Sequence, residues 1–191
     1  GQSVCYDANV VKKFLKLRFP RGHEFLGQRK VNLQSLYTDK ALVREHFSWD
    51  AFRELGQPYS EQEFVRLHAN GGYFGLYAAL EHPDARYVAR NGLQEEGNLY
   101  KAVASTENRD GQYEEETNED GDMTDLRDFL NDMHDTPASG LVSFFEQRVD
   151  PDSIIDFQAG QVITNNSDFP HKNHFLFHDT ERDKWMMITW D

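Results

Sequence analysis

The stretch NNSDFPHKNHFLFHDTERDKWMMITWD, residues 165–191, decides how this chain is read. It opens on a run of turn formers, Asn165 to Asp168, and then carries two mostly apolar segments of strand length, 173–179 and 184–190. The polar residues 180–183 between them supply turn chemistry, so the two segments predict a β-hairpin. Immediately upstream, Asp150-Pro151 is a cap followed by a proline, which predicts a helix running to about Ile163. The order is therefore helix, polar loop, hairpin.

Further upstream, Leu126, Phe129, Leu130 and Met133 recur at helical spacing behind Thr124, and Leu141, Val142, Phe144 and Phe145 mark another helix over about 139–148. The first half of the chain is different. Residues 11–19 alternate basic and apolar positions and predict a strand, as does KVNL at 30–33. Residues 62–69 and 73–81 flank Asn70-Gly71-Gly72, a hairpin signature. Between them, Asp39 caps a predicted helix over 39–55, with Val43, Phe47, Ala51 and Leu55 as its apolar face and Gly56 as its stop. A short helix ending at Gly92 and a strand over 97–104 follow, and the acidic, aperiodic stretch 106–122 reads as an exposed loop or variable insertion. Strands thus dominate the first half and helices the second. The fold class predicted is α+β in two lobes, 1–81 strand-rich and 82–191 helical, and the chain reads as a piece of a longer domain.

Composition narrows the function. The chain has 191 residues, 38% of them hydrophobic, and a formal charge of −13 from 33 acidic and 20 basic side chains. Clustered Lys and Arg are what phosphate backbones require, so nucleic acid is not the expected partner. An acidic surface keeps a protein soluble and also suits a basic or serine-rich protein substrate. Cys5 is the single cysteine, which rules out an internal disulfide framework. The sequence contains no apolar run long enough for a membrane span.

Within 165–191, Asn173 follows Asp168 by five positions and Asp191 closes the hairpin. Phosphoryl transfer from a nucleotide needs a carboxylate beside the incoming hydroxyl, and further oxygen ligands for the divalent ions that bridge the phosphates. A D-x-x-x-x-N match alone is weak, since Asn165 to Asp168 also suit a plain turn. Helix, loop, D-x-x-x-x-N, hairpin and Asp in that order is more specific.

Text distributed along nearly the whole chain resembles the CotH kinase family of atypical protein kinases. It comprises KKFLKLRF (12–19), KVNLQS (30–35), LVREHFSWDAFRELGQP (42–58), FVRLHANGGYFGLYAALEHPD (64–84), GNLYKA (97–102), VDPDSIIDF (149–157) and the NNSDFPHKN…WMMITWD segment. The resemblance implies a protein-kinase-like two-lobed fold, ATP as phosphoryl donor, Mg²⁺ or Mn²⁺ as cofactor, and Ser or Thr of a protein as acceptor, the chain itself included. It implies Asp168 as the catalytic carboxylate and Asn173 and Asp191 as metal ligands. Lys12 and Lys13 match the family's paired lysines, one of which would reach the α/β-phosphates; Lys13 is favoured, and alternation leaves the facing open. Glu45 would pair with that lysine, Glu81 would lie near the hinge and adenine pocket, and Ser3 ends a turn resembling a phosphate-covering loop, although the arginine expected before Gly1 is missing. The implied setting is extracytoplasmic: spore coat, secreted or cell surface. The family continues past W-D with a further acidic residue and more helix, which this sequence lacks. Two other readings remain: a non-catalytic nucleotide-binding scaffold or adhesion module of the same fold, and a metal site built on His171, His174 and His178.

Overall fold

The computed structural model describes residues 12–103, 110–118, 121–167, 169 and 172–190. The chain divides into two compact units, one of residues 1–50 and 60–83, the other of 51–59 and 84–191.

The first unit carries an antiparallel sheet of β1 (Leu15–Arg18), β2 (Lys30–Gln34), β3 (Gln62–Ala69) and β4 (Gly72–Glu81), in the order β1-β2-β4-β3. Asn70 and Gly71 join β3 to β4 with φ of 51° and 80°, the positive-φ pair that a two-residue hairpin turn needs. Because side chains alternate along a strand, pairing Leu17 with Val31, Leu33 with Ala79 and Val65 with Tyr77 puts all six on one face. Val31, Leu33, Tyr77 and Ala79 are buried there, with Leu17, Phe19, Val65 and Leu67 packed against them.

Helix α1 (Arg44–Glu54) begins later than its sequence predicts. Asp39 does cap, but from five residues away: Oδ1 accepts from the Ala41 N–H at 3.0 Å and Oδ2 from the Arg44 N–H at 2.7 Å, around a left-handed Leu42 at φ 63°. The predicted apolar face is also wrong. Phe47 is 63% exposed, whereas Trp49 and Phe52 are buried. A stripe repeating strictly every four residues winds around a 3.6-residue helix and leaves its buried side within three turns. Trp49 and Phe52, three apart, stay on one side.

The second unit carries four further helices among its described residues: α2 (Ala85–Arg90), α3 (Thr124–Asp135), α4 (Leu141–Arg148) and α5 (Pro151–Ile163). It also carries a second antiparallel sheet, so this half is not simply helical. Strands β5 (Asn98–Ala102), β6 (Tyr113–Glu115), β7 (His174–Asp179) and β8 (Lys184–Thr189) lie in the order β6-β5-β7-β8. Every residue of β7 is buried, as befits an inner strand packed on both faces. Leu126, Phe129 and Leu130 of α3 pack with Tyr100, Val149 and Trp185 into one core. Strand β6, preceded by a short 3-10 turn (Asp110–Gln112), falls inside the acidic stretch expected to be loop. Tyr113 alone among its glutamates is buried, and that single apolar residue pairs with Ala102 at the sheet edge.

Local chemistry fixes the helix ends of this unit. The Asp150 carboxylate accepts from the Ser153 N–H at 3.3 Å and Pro151 opens α5, as the sequence predicts. Asp84 caps α2 through the Arg86 N–H at 2.9 Å. Thr124 is not a cap: Met123 occupies that position with φ 54°, and the Asp122 carboxylate accepts from the Thr124 N–H at 3.0 Å. Gly160 on α5 faces the Phe52 ring so closely that a Cβ there would lie 2.2 Å from Phe52 Cε1.

Candidate functional site

The hairpin expected from residues 165–191 is present, and Asn173 lies at its open end. Asn173 stands one residue before β7 with φ 68°, a left-handed conformation that asparagine tolerates better than most residues. His174 pairs with Thr189, and one step further out the Trp190 N–H donates to the Asn173 carbonyl at 3.1 Å. Asn173 and Trp190, distant in sequence, are therefore direct cross-strand neighbours, and Asp191 is bonded to the second of them. Trp190 is itself held: its ring meets Phe175 edge-on at 5.6 Å, with the Lys101 amine 5.5 Å above it.

The loop between α5 and β7 is anchored at both sides. The Gln161 side-chain amide donates to the Thr189 hydroxyl at 3.0 Å in the interior, tying the end of α5 to β8. Asn165 turns the chain at φ 52°, with the Asn166 N–H returning to the Gln161 carbonyl at 2.9 Å. Phe169 then sets its ring edge-on to Phe157 at 5.8 Å. Asp168, Asp191 and Ser3 lie outside the described residues.

In the first unit, Lys12 sits just before β1 with its amine 4.7 Å above the Tyr77 ring. Its stem occupies the space left by Gly75, where a Cβ would come within 3.3 Å of Lys12 Cε. Burial lowers the amine's pKa and raises that of the Tyr77 hydroxyl, which lacks a hydrogen-bond partner among the described residues. Among the described residues no carboxylate forms an ion pair with Lys12. Lys13 is half-buried beside it. Glu45 lies in the first turn of α1. Glu81 ends β4 on the same face as Tyr77, 5% exposed, and its carboxylate accepts from the Glu61 N–H at 3.2 Å. That bond closes the strand end, a structural task in itself.

A polar cluster not foreseen from the sequence surrounds His178 on the second sheet. His178 Nδ1 lies 2.6 Å from the Asp125 carboxylate and Nε2 lies 3.1 Å from that of Asp183. Asp125 also accepts from the Tyr100 hydroxyl at 2.6 Å and the Asn98 amide at 2.8 Å, while Arg148 reaches Asp132 at 3.2 Å and Asp183 at 3.5 Å. Burial works to raise the Asp125 pKa, but the hydrogen bonds from His178, Tyr100, Asn98 and the Leu126 N–H outweigh it and hold the carboxyl well below the usual range. Burial and the same carboxylate push the Tyr100 hydroxyl far up. The partners are separated by 53 residues of sequence, and no local pattern announces such a contact.

This cluster also bears on the histidine metal reading. His174 and His178 share a face of β7, but both nitrogens of His178 are engaged by carboxylates. Among the described residues no group of three or more His, Cys, Asp or Glu side chains is arranged to hold a metal. His171 lies outside those residues. No helix among the described residues is long and apolar enough to cross a membrane.

Comparison with known proteins gives a consistent result. A family model described as CotH kinase protein matches residues 1–191. The inner spore coat protein H of Bacillus subtilis (strain 168) is 29% identical over 206 residues, an alignment taking in 98% of this chain and 57% of that protein. The chain thus spans little more than half the length of this relative.

Proposed function

Because this chain belongs to the CotH kinase protein family, we propose that it is an ATP-dependent protein kinase that passes the γ-phosphoryl group to Ser or Thr of a protein. The observation that carries this reading is the pairing of Asn173 with Trp190 across the mouth of the hairpin. It sets the backbone of Asn173 beside the residue that precedes Asp191, which supports Asn173 and Asp191 as ligands of one metal ion.

In this reading Asp168 orients the acceptor hydroxyl and takes its proton, and Asn173 and Asp191 hold the metal. An amide oxygen and carboxylates are the hard donors that Mg²⁺ and Mn²⁺ select. When bound, the metal neutralises charge on the phosphates. Lys12, more than Lys13, is suited to the α/β-phosphates: its amine is partly desolvated and faces an aromatic ring with no carboxylate ion pair among the described residues. A cation in that condition gains from an anionic ligand. Glu45 is the proposed partner of the lysine pair and Glu81 a support of the adenine pocket, with Ser3 in the loop over the phosphates. The likeness to an inner spore coat protein supports a place in the spore coat, with another coat protein or the chain itself as acceptor.

Labelled-ATP incorporation by the protein, compared with Asp168→Asn and Asp191→Asn, tests the reading. Labelling by the wild type and its loss in both variants is expected. Equal labelling in all three would end the catalytic assignment, and ATP binding without labelling would favour a scaffold.

A further inference from the structure

The second unit carries a cavity, partly open to solvent, that the phosphoryl-transfer reading leaves without a use. It lies between the second sheet and helices α3, α4 and α5, and has a volume of about 340 Å³. Its wall is assembled from Tyr113, Leu176 and Trp185 on the sheet, with Phe129, Leu130 and Met133 contributed by α3. Phe145 of α4 forms part of the wall and is 37% exposed. Ile154 and Gln158 of α5 and the paired methionines Met186 and Met187 complete most of the rest.

Size and chemistry together narrow what this space accepts. At roughly 30 Å³ per water molecule it would hold about eleven waters. Yet among the described residues no Asp, Glu, Lys or Arg lines it. Burial pushes the Tyr113 hydroxyl up to about 12. The described wall therefore offers no carboxylate, ammonium or guanidinium to an ionic ligand. Water in such a space finds few partners, and an ionic ligand would lose its hydration without gaining a counter-charge. Methionine side chains adapt to irregular apolar shapes and make favourable contacts with rings. A volume of this size falls within the range of small-molecule pockets.

Position gives the cavity its interest. Two of its lining residues, Phe169 and His174, stand one residue beyond Asp168 and one residue beyond Asn173. We propose that this cavity binds a neutral, apolar small molecule, aromatic or acyl, and that its occupant steadies the loop through Phe169 and His174. The second half deepens the kinase reading and rests on it for its functional meaning, but its test needs no nucleotide.

Titrating the protein with the uncharged fluorophore N-phenylnaphthylamine, and in parallel with the anionic anilinonaphthalene sulfonate, decides the first half. Saturable enhancement with the neutral probe at one equivalent is expected, with much weaker enhancement from the anion. Met133→Trp, which fills the space, should weaken neutral-probe binding by about tenfold or more. Val142→Trp, at a position 71% exposed and outside the wall, should leave it unchanged. Met133→Phe, a smaller addition checked by its melting transition, gives the same answer should the tryptophan variant fail to fold. No saturable binding, or binding indifferent to both Met133 variants, overturns the site; tighter binding of the anion overturns the chemistry assigned to it. For the second half, amide hydrogen exchange at Phe169 and at 172–174 should slow about threefold or more when the neutral probe saturates the protein. Unchanged exchange would remove the link to the loop. Because neither measurement contains ATP, failure here leaves phosphoryl transfer standing, and failed labelling leaves the cavity standing.

Discussion

Asp125 shows how much a single side chain can carry. It accepts from three side chains and a backbone N–H, and its carboxyl is held well below the usual range. A group whose folded pKa is depressed binds fewer protons in the folded state, so stability rises with pH between the folded value and the ordinary value near 3.9. The Asp125 contribution is complete above about pH 4 to 5 and is lost as the solution is acidified through the folded value. Acid unfolding followed by circular dichroism should therefore begin at higher pH in Asp125→Asn. Asp125→Ala leaves the Tyr100 hydroxyl, the Asn98 amide and His178 Nδ1 without their shared partner, and a cost of about 3 kcal/mol is expected from chemical denaturation. Lys12 poses a different question. Lys12→Met should weaken ATP binding about tenfold or more, whereas Lys13→Met should change it less, as measured by nucleotide titration. Asp168, Asn173 and Asp191 were singled out in the sequence on their spacing and order. The partners of Asp125 were not, because His178 stands 53 residues away and no local pattern links the two.

Among the elements, those defined by turn chemistry and caps were read most closely. Asn70-Gly71 fixes one hairpin and Asp150-Pro151 fixes the start of α5, since each acts over a few bonds. Helix α1 was misread where a tertiary choice intervened: which of its aromatics turn inward depends on what lies opposite, and Trp49 and Phe52 prevailed over Phe47. Strand β6 was missed because its glutamates match a solvated loop, and only pairing with Ala102 and its neighbours reveals it. Helix α5 carries a sharp test of packing. Gly160→Ala adds one methyl against the buried Phe52 ring, and the backbone there is already helical, so helix propensity would favour the change. Overpacking should win by about 1–3 kcal/mol, visible as a lower melting temperature. A neutral or raised value would mean that the ring has room to withdraw.

For the molecule as a whole, every strand of the two sheets except β6 was foreseen as a strand, but neither sheet was foreseen as a sheet. Local pattern announces a strand; only its partners make a β6-β5-β7-β8 order. The kinase reading makes a global prediction. Mg²⁺ and ATP together, at about a hundredfold above their dissociation constants, should add about 2.7 kcal/mol to stability. For a chain of 191 residues that corresponds to a rise in melting temperature of roughly 5–10 °C. Asp191→Asn should abolish the rise without altering the melting temperature of the free protein. A net charge of −13 adds a salt dependence of its own, so the comparison belongs at fixed ionic strength.

Trp185 lies flat between two rings, Phe129 at 4.4 Å and 14° on one side and His178 at 4.4 Å and 4° on the other. This stacking gives the protein a built-in optical reporter. The indole is buried and forms part of the cavity wall, so displacement of either stacked ring should change its emission, and an aromatic guest in the cavity should draw its excitation by energy transfer. Light emitted by one side chain thus registers both the packing beside His178 and the filling of the cavity, in unlabelled protein.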